Sequence, residues 1–377
     1  MKEEEKGVKI KKQELRIGAP QLRLLERLCN ACSVSGDEGE VRKIVLEQIK
    51  LQFNPNDTFI PNPKTDALGN ILAFRQAQSQ PSLKVLITAH IDEVGLMVTK
   101  DENDGFFRFD VVGSIDKRLL VGKAVWVGKD HIPGVIGAKP IHLATVDELK
   151  HSLSVDDLRI DVSPENKSKV KIGERAVFAA AFKRLGASVR GKALDDRLGV
   201  VTLIELLKQQ YAHLNIMAAF TVQEEIGLRG AAVAAYAYKP DLAIVLDCTP
   251  AYDLPHWEVD RGEVEENTYY NTKLGAGAAI YVADGRTISD PRLVKHFIKI
   301  AAEECIPYQI RQPGGGGTDG GAIHVQHEGI PTISISVPAR YIHTPYSIAR
   351  IADWQSTLSL VHASLQRCTP QIFDEER

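Results

Sequence analysis

Apolar residues recur at helical spacing near the beginning of the chain and form short, nearly continuous runs further on. Leu22, Leu25 and Leu28 share one face of a predicted helix over 20–31. A Ser/Gly-rich turn and a second predicted helix follow, ending near Leu51. The runs KVLITAH, NIMAAFTVQ, DLAIVLD and PTISISV are mostly apolar, as expected of strands covered on both faces of a sheet. Helical patterns alternate with these runs, so the sequence predicts an α/β fold.

The pattern changes in the middle of the chain, between about Val94 and Arg184. Short β-like runs, among them FFRFDVV, AVWVG and AVFAAAF, alternate there with turns rich in Gly, Pro, Asn and Asp. This spacing is typical of a small barrel or sandwich. The expected organisation is a charged N-terminal extension over 1–18, an α/β domain formed by 19–92 and 186–377, and an inserted β domain over 93–185.

Composition and charge narrow the function classes. The 377 residues are 44% hydrophobic and 25% charged, as in ordinary globular proteins, and the length predicts two domains. A formal net charge of -3 gives no general attraction to nucleic acid or anionic membranes. No apolar run is long enough to span a bilayer, and the N-terminal stretch has no apolar core typical of a secretory signal. We expect a cytoplasmic protein with neither a nucleic-acid nor a membrane partner.

Five cysteines, an odd number, are scattered along the chain, which favours a reducing compartment over a disulfide scaffold. Cys29 and Cys32 form a C-x-x-C pair inside an amphipathic helical pattern. Because no second pair accompanies them, we favour burial on a helix face over redox chemistry or zinc binding.

The stretch TVQEEIGLRGA, from Thr221 to Ala231, predicts a strand that runs into two adjacent acids and then a helix. Open α/β sheets bind ligands at such carboxyl ends of strands. Adjacent side chains point in different directions, so Glu224 and Glu225 can divide the work of holding a cation and transferring a proton. A surface acidic turn is the alternative for this stretch taken alone.

Further polar residues follow other predicted strands. His90 and Asp92 are two apart, so Asp92 can accept a hydrogen bond from the His90 ring and fix the tautomer that presents the other nitrogen to a metal. The alternative is a histidine at a strand end whose ring nitrogens are hydrogen-bonded and which has no chemical role. Asp247 ends the run DLAIVLD, where a carboxylate is costly to bury unless it is paired or bound to metal. His343 follows the run PTISISV.

Two more segments carry candidate chemistry. Asp195 and Asp196 open a predicted helix in GKALDDRLG, and N-capping is the alternative to a chemical role. The segment 313–322, PGGGGTDGGA, lacks the Gly-Lys-Ser/Thr of a phosphate loop. Its glycines predict close approach of the backbone to a substrate or a neighbouring loop, with a flexible linker as the alternative.

Two imidazoles and three carboxylates stand out as candidate ligands: His90, Asp195, Glu225, Asp247 and His343. This set suits two divalent cations that share one bridging carboxylate. Nitrogen and oxygen donors without thiolate favour zinc, cobalt or manganese over copper. Paired ions of this kind activate a water and polarise a scissile carbonyl, while a carboxylate outside the ligand set transfers the proton.

Eight motifs occur in order between about Leu22 and Leu365: HIDEVGLMV, IGAKPIHL, GKALDDRLG, QEEIGLRGA, LDCTPAYD, KLGAGAAI, GGGTDGGAI and RYIHTP. They resemble signatures of the tetrahedral, or TET-type, aminopeptidases, also called glutamyl or deblocking aminopeptidases and, misleadingly, cellulases or endoglucanases. The resemblance implies a mixed-sheet, three-layer αβα metallopeptidase domain interrupted by a small barrel-like insertion. That insertion would mediate dimer contacts and help to close the active-site chamber.

The resemblance also implies roles by position. The implied metal ligands are His90 and Asp247, Asp195 as the bridge between two ions, and Glu225 and His343 completing the other site. Glu224 would act as general base and acid, and Asp92 would orient His90. The implied cofactors are two divalent ions per subunit, zinc or cobalt foremost and manganese also compatible. The implied assembly is a hollow dodecamer built from dimers, which admits only peptides and unfolded chains.

The sequence departs from this family in two places. Its N-terminal extension is longer than usual, and the segment YDLPHWEVDRGEVEENTYYN replaces a short connection and is expected near the mouth of the site. His256 in that segment is expected to lie in a solvated loop rather than against substrate.

The predicted function is a metal-dependent aminopeptidase that hydrolyses short peptides through a water activated by Glu224. One alternative is a metal-dependent deacylase on the same scaffold. A glycosidase is disfavoured because glycoside hydrolysis uses two opposed carboxylates and generally no metal. The remaining alternative is a non-catalytic homologue that keeps only the assembly surfaces.

Overall fold

The computed structural model describes residues 15–51, 63–79, 82–147, 150–151, 153–254, 272–374 and 376, with the backbone of 256–258 and 263–265. Most of the expected N-terminal extension and of the segment 252–271, including the His256 side chain, lies outside the described residues. The α-helices are α1 (Ala19–Asn30), α2 (Gly39–Lys50), α3 (Leu194–Leu207), α4 (Arg229–Tyr238), α5 (Pro291–Glu303), α6 (Gly320–Ile323) and α7 (Ile351–Gln366).

The strands begin with β1 (Lys64–Thr65), β2 (Ile71–Arg75), β3 (Leu83–His90), β4 (Gly95–Asp101), β5 (Phe106–Val112), β6 (Ala124–Val127), β7 (Ile132–Gly137), β8 (Arg159–Asp161), β9 (Arg175–Phe178), β10 (Lys183–Leu185) and β11 (Ser188–Gly191). They continue with β12 (Leu214–Thr221), β13 (Leu242–Pro250), β14 (His256–Glu258), β15 (Glu263–Glu265), β16 (Ala278–Tyr281), β17 (Tyr308–Arg311), β18 (Thr332–Arg340) and β19 (Ser347–Arg350).

Eleven of the described strands form one mixed sheet in the order β1-β2-β12-β3-β13-β18-β19-β11-β10, with β16 and β17 branching from β18. Its central strands β12, β3, β13 and β18 run parallel to one another. Val85 and Ile87 of β3 pack into the core on one face of the sheet, whereas Leu86 packs into the core on the other. Both faces are therefore covered, as the apolar runs predicted.

Helices cover the sheet in two layers. The larger layer contains α1, α2, α3, α5 and α7 and buries large side chains such as Leu198, Phe297 and Trp354. The indole Nε1 of Trp354 donates a hydrogen bond to Thr202 Oγ1 at 2.9 Å, which satisfies its one polar group inside the core. The smaller layer is formed by α4 and α6. The result is the three-layer αβα arrangement that the family resemblance implied.

Six strands close into a separate antiparallel barrel in the order β4-β5-β8-β7-β6-β9. It has its own core, in which Phe107, Phe109, Val125 and Ile160 are buried. The barrel is formed by chain that lies between β3 and β10, so it interrupts the α/β fold as predicted. The sequence pattern had left a barrel and a sandwich open, and the structure is the barrel.

Two local differences from the sequence predictions concern the end of a strand and a cysteine. Strand β13 was expected to end at Asp247 but continues to Pro250, because it keeps pairing with β18 as far as Pro250 opposite Ala339. Cys29 is buried as predicted, whereas Cys32 is half-buried, and both are free thiols. None of the described helices combines the length and apolarity needed to cross a membrane.

Gly230 lies in the first turn of α4, where the helix backbone meets the chain that leaves β12. A Cβ atom at this position would come within 2.3 Å of Asn70 Oδ1 and 2.5 Å of the Val222 carbonyl oxygen. Asn70 also ties this corner together, since its Oδ1 accepts from the Val222 N–H and its amide donates to the Gly230 carbonyl, both at 3.0 Å. The corner that carries the two adjacent glutamates therefore requires glycine here.

We expect Gly230→Ala to lower the free energy of unfolding by about 1–3 kcal/mol, because the backbone must move to admit the methyl group. Gly39→Ala is the matched control, since Gly39 also starts a helix but no described atom lies within 4 Å of its added Cβ. The control should change the free energy by less than about 1 kcal/mol. Urea denaturation measures both, and equal effects would contradict the packing argument.

Candidate metal centre

The carboxyl ends of the four parallel strands meet at one edge of the sheet. His90 is the last residue of β3, Glu224 and Glu225 follow β12, Asp247 lies in β13, and His343 follows β18. Six of the predicted residues line one cavity of about 930 Å³: His90, Asp195, Glu224, Glu225, Asp247 and His343. Strands from distant parts of the chain thus bring the candidate residues together at the place where α/β sheets bind ligands.

The Asp195 carboxylate lies between the two imidazoles. Its Oδ1 is 3.2 Å from His90 Nε2, and its Oδ2 is 3.4 Å from His343 Nε2. A second acid accompanies each ring, because Asp247 Oδ1 is 3.9 Å from His90 Nε2 and Glu225 Oε1 is 3.3 Å from His343 Nε2. The five groups therefore form two triads of donors that share Asp195.

The start of helix α3 explains why Asp195 and Asp196 differ. Both residues have non-helical backbone angles, and Asp196 Oδ1 accepts a hydrogen bond from the Gly199 N–H at 2.9 Å. Asp196 therefore has the capping role that was the alternative for this pair. Asp195, one residue earlier, is left to face the imidazoles. Arg197, the basic residue that follows this pair, forms an ion pair with Glu93 at 3.3 Å.

Asp92 lies fully buried beneath the cavity and connects two strand ends. Its carboxylate accepts hydrogen bonds from Ser35 Oγ at 2.6 Å and from the backbone N–H groups of Glu224 and Glu225 at 3.0 and 3.2 Å. His90 Nδ1 is 3.2 Å from the Asp92 carbonyl oxygen and 3.5 Å from its carboxylate. Either oxygen favours the tautomer with the proton on Nδ1, which leaves Nε2 free to face Asp195.

A buried ion network holds the chain just beyond β3, and sequence reasoning had not identified it. Lys192 Nζ donates to Glu93 at 2.7 Å and to the Ala31 carbonyl at 2.6 Å. Arg197 donates to the Ile91 carbonyl at 2.7 Å and pairs with Glu93. The signal in the sequence was the two basic residues that flank the paired aspartates in GKALDDR.

His343 is held by the barrel as well as by its own strand. Its backbone is left-handed, with φ 60°, and its Nδ1 donates to the Ser114 carbonyl at 2.9 Å, in the segment that follows β5. This hydrogen bond fixes the ring so that Nε2 faces Asp195 and Glu225. The inserted barrel therefore contributes to the geometry of the candidate centre.

Burial dominates the electrostatics of the cavity. It raises the pKa of Glu224 well above its usual range; His90 opposes this effect, and the neighbouring acids, including Glu225, increase it. Burial likewise raises the pKa of Asp247 well above its usual range, with Asp195 adding to the effect. For Asp195 itself, hydrogen bonds from both imidazoles outweigh burial and hold the pKa below its usual range.

The cavity wall and the Gly-rich segment beside it contain residues whose importance the sequence did not reveal. Arg311, which is buried, and Tyr281 line it, with the guanidinium 4.4 Å from the centre of the tyrosine ring. Asp319, in the Gly-rich segment, is buried and accepts a hydrogen bond from Thr221 Oγ1 at 2.6 Å. The glycines make a close approach to a neighbouring loop, since a Cβ at Gly317 would come within 2.4 Å of the Arg286 side chain. This segment lines the cavity and is not a simple linker.

The donor set fits divalent cations. Acids outnumber imidazoles in the cavity, and buried carboxylates of like charge are stable together only when protonated or neutralised by cations. Neither triad contains a thiolate, and imidazole with carboxylate suits zinc and related ions. The ligand atoms of His90, Asp195 and Glu225 all lie within 4.8 Å of one another, so one member of each triad lies close to the shared Asp195 carboxylate.

Comparison with known proteins places this geometry in a family context. Residues 69–360 match the model of the M42 glutamyl aminopeptidase family. The lysyl aminopeptidase of Pyrococcus furiosus is 30% identical over 362 residues, which cover 93% of this chain and 98% of that protein. A solved aminopeptidase of the archaeon Desulfurococcus kamchatkensis is 33% identical with a TM-score of 0.83, covering 94% of this chain and 96% of that one.

A further solved relative is the TET1 peptidase of Pyrococcus horikoshii, which can assemble into a tetrahedron or a large octahedral shell. It is 32% identical with a TM-score of 0.75, and the match covers 91% of this chain and 98% of that one. Over 91–94% of the chain, the fold is thus similar to that of solved aminopeptidases.

The pKa shifts predict how the stability of the metal-free protein depends on pH. Glu224 and Asp247 have raised pKa values, and burial raises the pKa of Asp319 to about 6. Burial opposes protonation of His343, but hydrogen bonds to Asp195 and Glu225 outweigh it and raise the pKa of His343 to about 11. In each case the folded state binds more protons than the unfolded state near neutral pH, so stability falls as pH rises.

We therefore expect the chelator-treated protein to unfold at a lower temperature at pH 8 than at pH 6. Saturating zinc should abolish or reverse this fall, because bound cations replace the protons that the folded state holds. Thermal unfolding followed by circular dichroism, with and without zinc, measures the effect. A midpoint that stays constant or rises from pH 6 to pH 8 without metal would contradict the electrostatic interpretation.

Proposed function

The chain belongs to the M42 glutamyl aminopeptidase family, and we propose that it removes N-terminal residues from short peptides with the help of two divalent metal ions. Membership makes it a peptidase hydrolase. The observation that carries the finer proposal is the Asp195 carboxylate, whose two oxygens face two imidazoles, each with a second acid beside it. This is the donor arrangement that a pair of ions sharing one bridging carboxylate requires.

The proposed ligands divide into two sets. His90 and Asp247 would hold one ion, His343 and Glu225 the other, and Asp195 both. Zinc or cobalt fits these donors best, and manganese also fits, because similar N and O ligands accept all three. Asp92 would fix the His90 ring, a role supported by the contacts of Nδ1 with Asp92.

Glu224 is the proposed general base and acid. When bound, the ions would activate a water and polarise the scissile carbonyl. Glu224 lines the same cavity, and its carboxylate would accept a proton from the attacking water and donate it to the leaving amine. Burial raises the pKa of Glu224 and so favours the protonated form that a general acid needs. The Asp92 carboxylate, which accepts from the Glu224 N–H, would keep the turn in place.

We propose that the active protein is a homo-oligomer built from dimers, most simply a dodecamer. The TET1 peptidase of Pyrococcus horikoshii, which assembles into closed shells, is similar to this chain over nearly its whole length. The region 93–185 would form the inserted domain that makes dimer contacts, and 19–92 with 186–377 the catalytic domain. Light scattering should then give a mass near twelve times the 41.5 kDa of one chain, and a monomer would contradict the proposal.

Glu224→Gln should lower kcat by about 10²–10⁴-fold while the bound metal content stays unchanged, because the variant keeps the shape of the side chain but cannot accept the proton. Glu225→Gln is the matched control, since it changes the neighbouring acid in the same way but removes a proposed ligand. That variant should lose bound metal and recover part of its activity when zinc or cobalt is in excess. Full activity of Glu224→Gln would exclude the proton-transfer role.

Hydrolysis of a panel of aminoacyl-p-nitroanilides, with chelator and with zinc or cobalt restored, tests the function as a whole. The expected result is cleavage that chelation abolishes and metal restores, with a preference for certain N-terminal side chains. If no substrate of the panel is hydrolysed while two ions are bound, the deacylase is favoured, and N-acyl amino acids would be assayed next. If no substrate is hydrolysed and no ion is bound, a non-catalytic protein that keeps the assembly surfaces is favoured.

A further inference from the structure

A second cluster of metal-ligating side chains lies at the seam between the barrel and the αβα body. It consists of Cys32, which follows α1, Glu40 in the first turn of α2, and His131 in the turn between β6 and β7. Their candidate ligand atoms all lie within 4.8 Å of one another. None of the three lines the cavity that contains the candidate metal centre.

Glu40 already links the other two residues. Its Oε1 is 2.6 Å from His131 Nε2, and its Oε2 accepts a hydrogen bond from the Cys32 N–H at 2.9 Å. The His131 backbone is left-handed, with φ 51°, an uncommon conformation for a residue other than glycine. The turn between β6 and β7 therefore adopts a less favourable backbone while it presents this imidazole to the body.

The cluster is open to solvent on one side. Cys32 and Glu40 line a cavity of about 320 Å³, and the side chains of Glu40 and His131 are 36% and 39% exposed. A dissolved ion can therefore reach these ligands. Asp37 lines the same cavity, as do three basic residues: Lys43, Lys129 and Arg175.

The thiol at this seam is not activated for redox chemistry. Burial raises the pKa of Cys32 to about 12, so without a metal the group is a neutral and unreactive thiol. Cys29, its partner in the C-x-x-C pair, is completely buried, and burial raises its pKa to about 12 as well. A bound metal ion would displace the Cys32 proton, because metals bind the thiolate.

We propose that Cys32, Glu40 and His131 form a zinc site that fastens the barrel to the start of helix α2. One sulfur, one oxygen and one nitrogen ligand leave a fourth tetrahedral position for water. On binding, the S–H bond of Cys32 breaks, its proton passes to solvent, and a zinc–sulfur bond forms. One thiolate and one carboxylate neutralise the two charges of the ion, so the neighbouring basic residues face a neutral complex.

Thiolate ligation separates this site from the proposed active centre, whose ligands are nitrogen and oxygen. Cobalt(II) bound to a thiolate absorbs in the near ultraviolet through sulfur-to-metal charge transfer, whereas cobalt bound only to nitrogen and oxygen does not. We expect cobalt titration of the metal-stripped, full-length protein to produce this band, which should be complete once three ions are bound per chain, two of them at the proposed active centre. Absence of the band in the wild-type protein would overturn the proposal.

Two cysteine variants identify the cysteine that supplies the thiolate ligand. Cys32→Ser should abolish the band, and Cys248→Ser should retain it. Cys248 is the matched control because its sulfur lies beside Asp195 and Asp196 and could instead supply the thiolate. A band that survives Cys32→Ser but disappears in Cys248→Ser would place the thiolate at the cavity and overturn the proposal.

A histidine variant tests the link to the barrel without disturbing the turn. His131→Asn keeps a residue that tolerates the left-handed conformation but removes the imidazole ligand. We expect it to bind one zinc ion fewer per chain than the wild type and to lose part of the zinc-dependent rise in unfolding temperature, with aminopeptidase activity unchanged. His151→Asn, at an exposed histidine, is the control and should match the wild type. Equal zinc contents of the His131→Asn variant and the wild type would overturn the proposal.

Discussion

Two imidazoles share one carboxylate at the edge of the sheet, and much of the surrounding structure serves to hold these three groups together. Asp195 can reach between the rings because the regular part of helix α3 begins beyond it, where Asp196 caps the helix. The parallel strands place His90. The left-handed backbone of His343, beyond the end of β18, places the second ring. Segments that are far apart in sequence therefore converge on a single side chain, and each must be in place for the donor triads to exist.

Charge is balanced in two different ways within this small region. Glu93 is neutralised from within the chain, by Lys192 and Arg197, and forms a closed network that holds the end of β3. In the adjacent cavity the acids outnumber the imidazoles, and the pKa values of Glu224 and Asp247 rise instead. The first arrangement is complete and structural. The second leaves an excess of acid that protons or cations from outside the chain must balance, whereas a buried ion network is balanced within the chain.

The sequence predicted the parts of this protein in which local pattern decides the structure. The mostly apolar runs predicted the central strands, and polar residues at their carboxyl ends predicted the edge where the candidate residues meet. Helix α7 was not predicted, although Trp354, Leu358, Val361 and Leu365 have helical spacing, because polar residues such as Ser and Thr separate them. The end of β13 was wrong because strand pairing, which the sequence does not display, extends it past Asp247.

Contacts between distant segments were also hidden from sequence reasoning. The buried position of Asp319, the Arg311 guanidinium over Tyr281 and the network around Glu93 all depend on which loops face each other in the folded chain. In contrast, capping was recognised as an alternative for the Asp195–Asp196 pair, and the structure shows it at Asp196, while Asp195 faces the two imidazoles. A pair of identical neighbours can therefore satisfy a local capping rule and a long-range contact at the same time.

The contact between Ser114 and His343 has a consequence for how such proteins change over time. Ser114 belongs to the insertion, and His343 to the αβα body, yet the carbonyl of one aims the ring of the other. A descendant that lost the insertion would keep every candidate ligand in its sequence but not the group that orients one of them. The insertion and the ligands are therefore expected to be retained together. An αβα body transferred alone to another protein would carry the candidate ligands without the hydrogen bond that orients His343.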